Sequence, residues 1–153
     1  MALLELQDVT KIYQQGKIRV PALRGIDLTV EKGEFLTVFG PSGSGKTTLL
    51  NLIGCLDQAT SGRIKFAGEE LTNLDQKKLA MLRRYNLGFV FQSYNLIPVL
   101  TAYENVEFAA RLIGRYRQDE LRRRVLQILE AVGLAGLEER KPNELSGGQK
   151  QRV

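Results

Sequence analysis

The chain of 153 residues contains no histidine and a single cysteine. It also has no apolar run near the roughly 20 residues that span a bilayer. Without histidine, no imidazole in these residues serves as acid, base or metal ligand near neutral pH. Cys55 alone closes no internal disulfide, which suits a reducing cytosol. Its apolar setting, LIGCLD, reads as packing rather than chemistry. The opening MALLELQDV lacks the basic segment and apolar stretch of a secretory leader, so none is expected.

What is present fits a soluble globular domain with a core: 43% hydrophobic and 25% charged residues. The net charge of +5 is concentrated in RLIGRYRQDELRRRV, 111–125, with six arginines against two acids. Such a run invites an anionic partner, nucleic acid or membrane. With no aromatic platform beyond Tyr116, the plainer reading is the solvated face of helices.

Periodicity divides the chain. LLELQDVTKIY alternates in part like a half-buried strand, and ALRGIDLTV reads as a second strand. FLTVFG is apolar on both faces, which predicts a buried parallel strand at 35–39. TSGRIKFAGEEL reads as turn, short strand and turn. DQKKLAMLRRY suits a helix, with Leu79 and Leu82 on one side. LGFVF predicts a further interior strand at 87–91. Beyond it the pattern is helical. Thr101 and Glu104 form a T-x-x-E capping box before AYENVEFAARLI, which Gly114 can close. DELRRRVLQILEAVG sets Leu121, Val125, Ile128, Leu129 and Val132 on one face, with Gly133 at the C-cap.

Between strand and helix stands GPSGSGKT, 40–47, which fits G-x-x-x-x-G-K-[ST]. Gly40, Gly43 and Gly45 allow torsions closed to other residues and a close approach of backbone to phosphate. Pro41, Ser42 and Ser44 complete the loop, whose N–H groups face the β-phosphate at a helix N-terminus. Lys46 supplies a mobile charge for the β- and γ-phosphates, and Thr47 a hydroxyl for Mg²⁺. Thr48 is assigned to the α-phosphate. The loop alone does not choose among kinases, GTPases, motors and transporters.

Three further stretches make the choice. LSGGQ, 145–149, follows the loop; FVFQ, 89–92, lies between them and ends on Gln92; Tyr13 follows the first strand. With GPSGSGKTT, this order resembles the nucleotide-binding subunit of ABC transporters over the whole chain. LGFVFQSYNLIPVLTAYENV and the spacer QQGKIRVPALRGIDL are similar to the subgroup of lipoprotein-releasing and macrolide-export ATPases.

The resemblance implies an α/β fold: a phosphate-loop NTPase core of parallel sheet plus antiparallel β subdomain, joined to a helical subdomain. The boundaries read as 1–91 for the core, 92–144 for the Q-loop and helical subdomain, and 145–153 for the signature. It implies ATP and Mg²⁺ as cofactors. Tyr13 would stack on adenine; the plain alternative is an ordinary amphipathic strand residue. Gln92 would reach Mg²⁺ or the attacking water, against a loop amide bonded only to backbone. In the signature, Leu145, Ser146, Gly147, Gly148 and Gln149 would meet the ATP of a second, head-to-tail copy, with Ser146 capping the helix. The alternative is a plain helix cap.

The implied partners are that second copy and an integral membrane subunit docking near Gln92 to Pro98, with no nucleic acid. The implied location is cytoplasmic, peripheral on the inner face of the membrane. A soluble ABC-type ATPase acting on ribosome or DNA is the alternative. Hydrolysis in this family uses an apolar run ending in Asp-Glu, a short interface loop and a switch histidine. Asp119-Glu120 follows Tyr116-Arg117-Gln118, so no such run is present. The chain therefore reads as the first two-thirds of a domain that binds ATP but hydrolyses it poorly.

Overall fold

The computed structural model describes residues 2–114 and 116–153; Arg115, one of the six arginines of the basic run, lies outside them. The chain divides after Leu87 into two units.

The first unit is a four-stranded antiparallel sheet in the order β2-β1-β3-β4, with β1 at Ala2–Gln15, β2 at Ile18–Glu31, β3 at Ser61–Phe66 and β4 at Glu69–Glu70. β1 buries Leu4 and Leu6, then Val9. The change of parity comes from a bulge: Leu6 faces Leu28, whereas Val9 faces Ile26. The extra residue lets apolar positions of opposite parity face one core. Asp8 there takes φ +46°. Gly62 lies across from it, where an added Cβ would stand 2.3 Å from the Asp8 carbonyl oxygen.

Two helices close this unit, α1 at Lys46–Ile53 and α2 at Gln76–Asn86. Leu49 and Leu52 of α1 join Leu79 and Leu82 of α2 in the core beneath the sheet. Asp75 caps α2 by accepting from the Lys78 N–H at 2.7 Å. α1 ends with the Cys55 and Leu56 N–H groups on the carbonyls of Leu52 and Asn51, and Cys55 takes φ +56°. Arg83 donates to the Cys55 carbonyl. Burial pushes the Cys55 thiol above its ordinary value, as the packing reading expects.

The second unit holds α3 at Ala102–Ile113, α4 at Gln118–Ala131, a 3-10 turn at Pro142–Glu144 and α5 at Gly147–Arg152. Both bonds of the Thr101–Glu104 capping box are formed. Gly114, at φ +67°, closes α3. The N–H groups of Ala102 and Tyr103 at the start of α3 donate to the carbonyls of Arg140 and Glu138. Gly133 turns at φ +70°, its N–H reaching the Glu130 carbonyl and that of Leu134 the Leu129 carbonyl; the buried pair Leu129 and Leu134 completes a Schellman end.

Three expectations are corrected. No strand forms at 35–39 or at 87–91. Neither segment meets a ladder partner among the described residues, and an apolar run without one leaves its backbone groups unpaired. Phe35 and Phe39 are 93% and 91% exposed, while Val38 packs on the first core. On α4, Leu121, Val125 and Leu129 are buried, but Ile128 is 52% exposed. Its position on the helix falls at the edge of the stripe rather than its centre.

Candidate functional site

Residues 40–48 sit against β2 through a second bulge. Lys11 pairs with Leu23 and Ile12 with Pro21, so Ala22 is the unpaired extra residue. Its carbonyl is turned toward the loop: a Cβ on Gly45 would lie 2.6 Å from the Ala22 oxygen, and Gly45 takes φ +91°. Both facts restrict this position to glycine. Gly43, at φ +79°, has open space where a Cβ would point. Ala22, Ser42, Gly43, Gly45, Lys46, Thr47 and Thr48 line a cavity of about 230 Å³.

Lys46 opens α1, and its ammonium donates to the carbonyls of Gly40 at 2.9 Å and Pro41 at 2.7 Å, with Ser44 Oγ at 3.4 Å. The cation thus rests on the loop's own carbonyls, on a flexible stem that can swing to a stronger acceptor. Gly45 stands at the N-cap with no side-chain cap, so the first N–H groups of α1 have no side-chain acceptor there.

Tyr13 lies on β1 opposite Val20, two residues from Ala22 on β2. Its hydroxyl donates to Asp57 Oδ2 at 2.8 Å. Asp57 Oδ1 accepts from the Lys11 ammonium at 2.6 Å and from the Gln58 N–H at 2.7 Å, and Lys11 also donates to the Gln58 carbonyl. The Lys11 ammonium stands over the Tyr13 ring, 4.8 Å from its centroid. Partial burial pushes the Asp57 carboxyl up, but the bonds from Lys11, Tyr13 and Gln58 outweigh it and hold it below its ordinary value. Neither Lys11 nor Asp57 was legible as a site residue. They are 46 positions apart, and only the pairing of strands brings them together.

Gln92 and residues 145–149 belong to the second unit. Gln92 is exposed in a turn. Leu145 is buried, and Ser146 caps α5, accepting from the Gln149 N–H at 3.3 Å while Gln149 Oε1 accepts from the Ser146 N–H at 2.7 Å. A Cβ on Gly147 would stand 3.0 Å from the Tyr94 hydroxyl, whereas Gly148 meets only the tip of the flexible Arg152 side chain, at 3.8 Å.

The family model described as "ABC transporter" matches residues 23–153. The chain belongs to the ABC transporter family. It is similar to an uncharacterized ABC transporter ATP-binding protein of Thermotoga maritima, 49% identical over 98% of this chain and 64% of that protein. The macrolide export ATP-binding/permease protein MacB of Marinobacter nauticus is 49% identical over 99% of this chain and 23% of its own length. Among solved structures, the dimeric post-hydrolysis state of the ATP-binding cassette MJ0796 bound to ADP and Pi matches with TM-score 0.89 and 44% identity. It covers 97% of this chain and 66% of that one; the MJ0796 protein is from Methanocaldococcus jannaschii. The chain therefore spans just under two-thirds of the single-cassette relatives and about a quarter of the permease fusions. The α/β class stands with these cassettes, here as antiparallel sheet plus helices.

Proposed function

We propose that the chain is the nucleotide-binding part of a longer ABC transporter ATPase. That protein couples ATP binding and hydrolysis, in a head-to-tail dimer, to movement of a substrate by a membrane subunit. One observation carries the reading: a glycine-built phosphate loop, seated on Ala22 at the start of α1, in a chain that matches a dimeric ADP- and Pi-bound cassette.

The residues fit a Mg-nucleotide. Gly43 and Gly45, both at positive φ, add no side chain to the cavity that Lys46, Thr47 and Thr48 also line. N–H groups of 43–47 bind the β-phosphate, Lys46 bridges the β- and γ-phosphates, and Thr48 takes the α-phosphate. Thr47 is the side chain of this loop that would hold Mg²⁺, which when bound would neutralise charge on the transferring phosphate oxygens. Tyr13 stacks on the base. Leu145 to Gln149 serve the ATP of the second copy, through the end of α5 that Ser146 caps.

No Asp-Glu ends an apolar run in these residues and they hold no histidine, so they bind and position ATP while a general base comes from outside them. The exporter MacB is named as an ATP-binding/permease protein, which supports a membrane partner and a peripheral place at the inner face of the membrane. No described helix is long and apolar enough to cross a membrane. Arg111 and Arg124 are engaged in ion pairs with Glu107 and Glu120, which supports a solvated face for the basic run rather than a nucleic-acid surface.

The test is ATP turnover by the full-length protein. Lys46→Ala is expected to lower the rate about 100-fold or more, as loss of a positioned charge does, and residues 1–153 alone to turn over far less than the whole. An unchanged rate in Lys46→Ala overturns the reading.

A further inference from the structure

Of the cluster of Lys11, Tyr13 and Asp57, only Tyr13 has a role in the reading above; Lys11 and Asp57 have none. An aromatic side chain that stacks on a base needs only its ring, yet here the hydroxyl is tied to Asp57 at 2.8 Å. The ring is also covered on one face by the Lys11 ammonium at 4.8 Å. Lys11 and Tyr13 project from the same side of β1, being two apart. The Lys11 side chain is only 12% exposed, so its charge is held by Asp57 and the Gln58 carbonyl rather than by water.

The loop that carries Asp57 is fixed at both ends. Behind it, the Leu56 and Asp57 N–H groups donate to the Asn51 carbonyl at the end of α1, at 2.8 and 3.3 Å. Ahead of it, the Thr60 N–H donates to the Thr10 carbonyl and the Ile12 N–H to Thr60 Oγ1. The helix whose N-terminus forms the phosphate site, about 12 Å long along its axis, thus holds through its Asn51 carbonyl the loop whose Asp57 grips the Tyr13 hydroxyl.

We infer that Asp57 and Lys11 are positioning residues for the nucleotide base. Asp57 fixes the Tyr13 ring at a set place relative to the phosphate loop, through α1, and Lys11 occupies one ring face so that the base stacks on the other. A ring held in advance loses less freedom when the base arrives. This rests on the reading of Tyr13 as a base-stacking residue, and it predicts an effect confined to ligands that have a base.

The experiment measures, by calorimetry at fixed Mg²⁺, the affinity of the full-length protein for ATP and for inorganic tripolyphosphate. Base stacking is worth roughly 5- to 150-fold in affinity, which sets the range available. Asp57→Ala is expected to weaken ATP by about three- to tenfold and leave tripolyphosphate within about twofold. In a Tyr13→Ala background the same change should have no further effect on ATP, because nothing remains to be positioned. Where Asp57→Ala does not fold, as judged by circular dichroism, Asp57→Asn and Tyr13→Phe supply the same comparison. Equal losses for both ligands would assign Asp57 a purely structural role and overturn the proposal. So would an undiminished ATP loss in the Tyr13→Ala background, or no loss at all. If Tyr13→Ala itself leaves ATP affinity unchanged, the stacking reading fails and takes the proposal with it; phosphate binding, read by tripolyphosphate, stands separately.

Discussion

Gly45 is the residue on which the phosphate site turns. Two independent constraints meet there: a φ of +91° and the Ala22 carbonyl where a Cβ would go. Gly45→Ala is expected to destabilise the first unit by about 1–3 kcal/mol and to weaken ATP binding at least tenfold, by pushing the loop off β2; denaturant titration and calorimetry read the two effects. Asp57 makes a different prediction. Its carboxyl is held below its ordinary value in the folded chain. The unfolded chain therefore binds the proton more readily, and stability rises with pH through that interval. The contribution is complete above the ordinary carboxylate value and is lost as pH falls through the lowered one. Asp57→Asn should flatten that acid limb in a pH series of unfolding midpoints, with little change in its slope elsewhere. The loop and Lys46 were readable because their chemistry is local, within eight consecutive positions. Ala22, Lys11 and Asp57 were not, because bulge placement and strand register decide their meaning and no short window of sequence encodes either.

At the level of elements, the helix ends followed their signals closely. The T-x-x-E box before α3, the glycines after α3 and α4 and the serine before α5 all stand at the helix ends they mark. Each depends on hydrogen bonds within four residues of itself. The strands at 35–39 and 87–91 fared differently because a strand depends on a partner that may lie anywhere. An apolar run says which residues want to be buried, not which backbone will pair with them. Ile128 was misplaced for a related reason: periodicity finds the direction of a stripe but not its width. The local signals carry a direct test. Thr101→Ala removes the hydroxyl that accepts from the Glu104 N–H and leaves only the return bond from the backbone N–H of residue 101 to Glu104 Oε2. It is expected to cost about 1 kcal/mol, read as lowered hydrogen-exchange protection over α3, with Thr101→Ser restoring most of it.

Across the whole chain, each unit carries its own core, one built from Leu4 to Leu82 and the other from Leu121 to Leu134. Outside both cores stand Phe35, Phe39 and Val90, at 93%, 91% and 89% exposure, in the two segments whose composition calls for interior strands. Apolar side chains this open are a cost in water and a site for self-association. The chain spans 66% of the MJ0796 cassette it matches, and on the proposed reading the remaining third of the domain supplies the strands that cover these segments. Residues 1–153 alone should then bind an apolar dye such as ANS strongly and self-associate at micromolar concentration, while the full-length protein does neither. Replacing Phe35 and Phe39 by serine should suppress both signals in residues 1–153. In the full-length protein the same pair should destabilise by about 3–5 kcal/mol for each phenylalanine that becomes buried. If the full-length protein tolerates both serines without loss of stability, Phe35 and Phe39 remain exposed there too, and no further strand covers them.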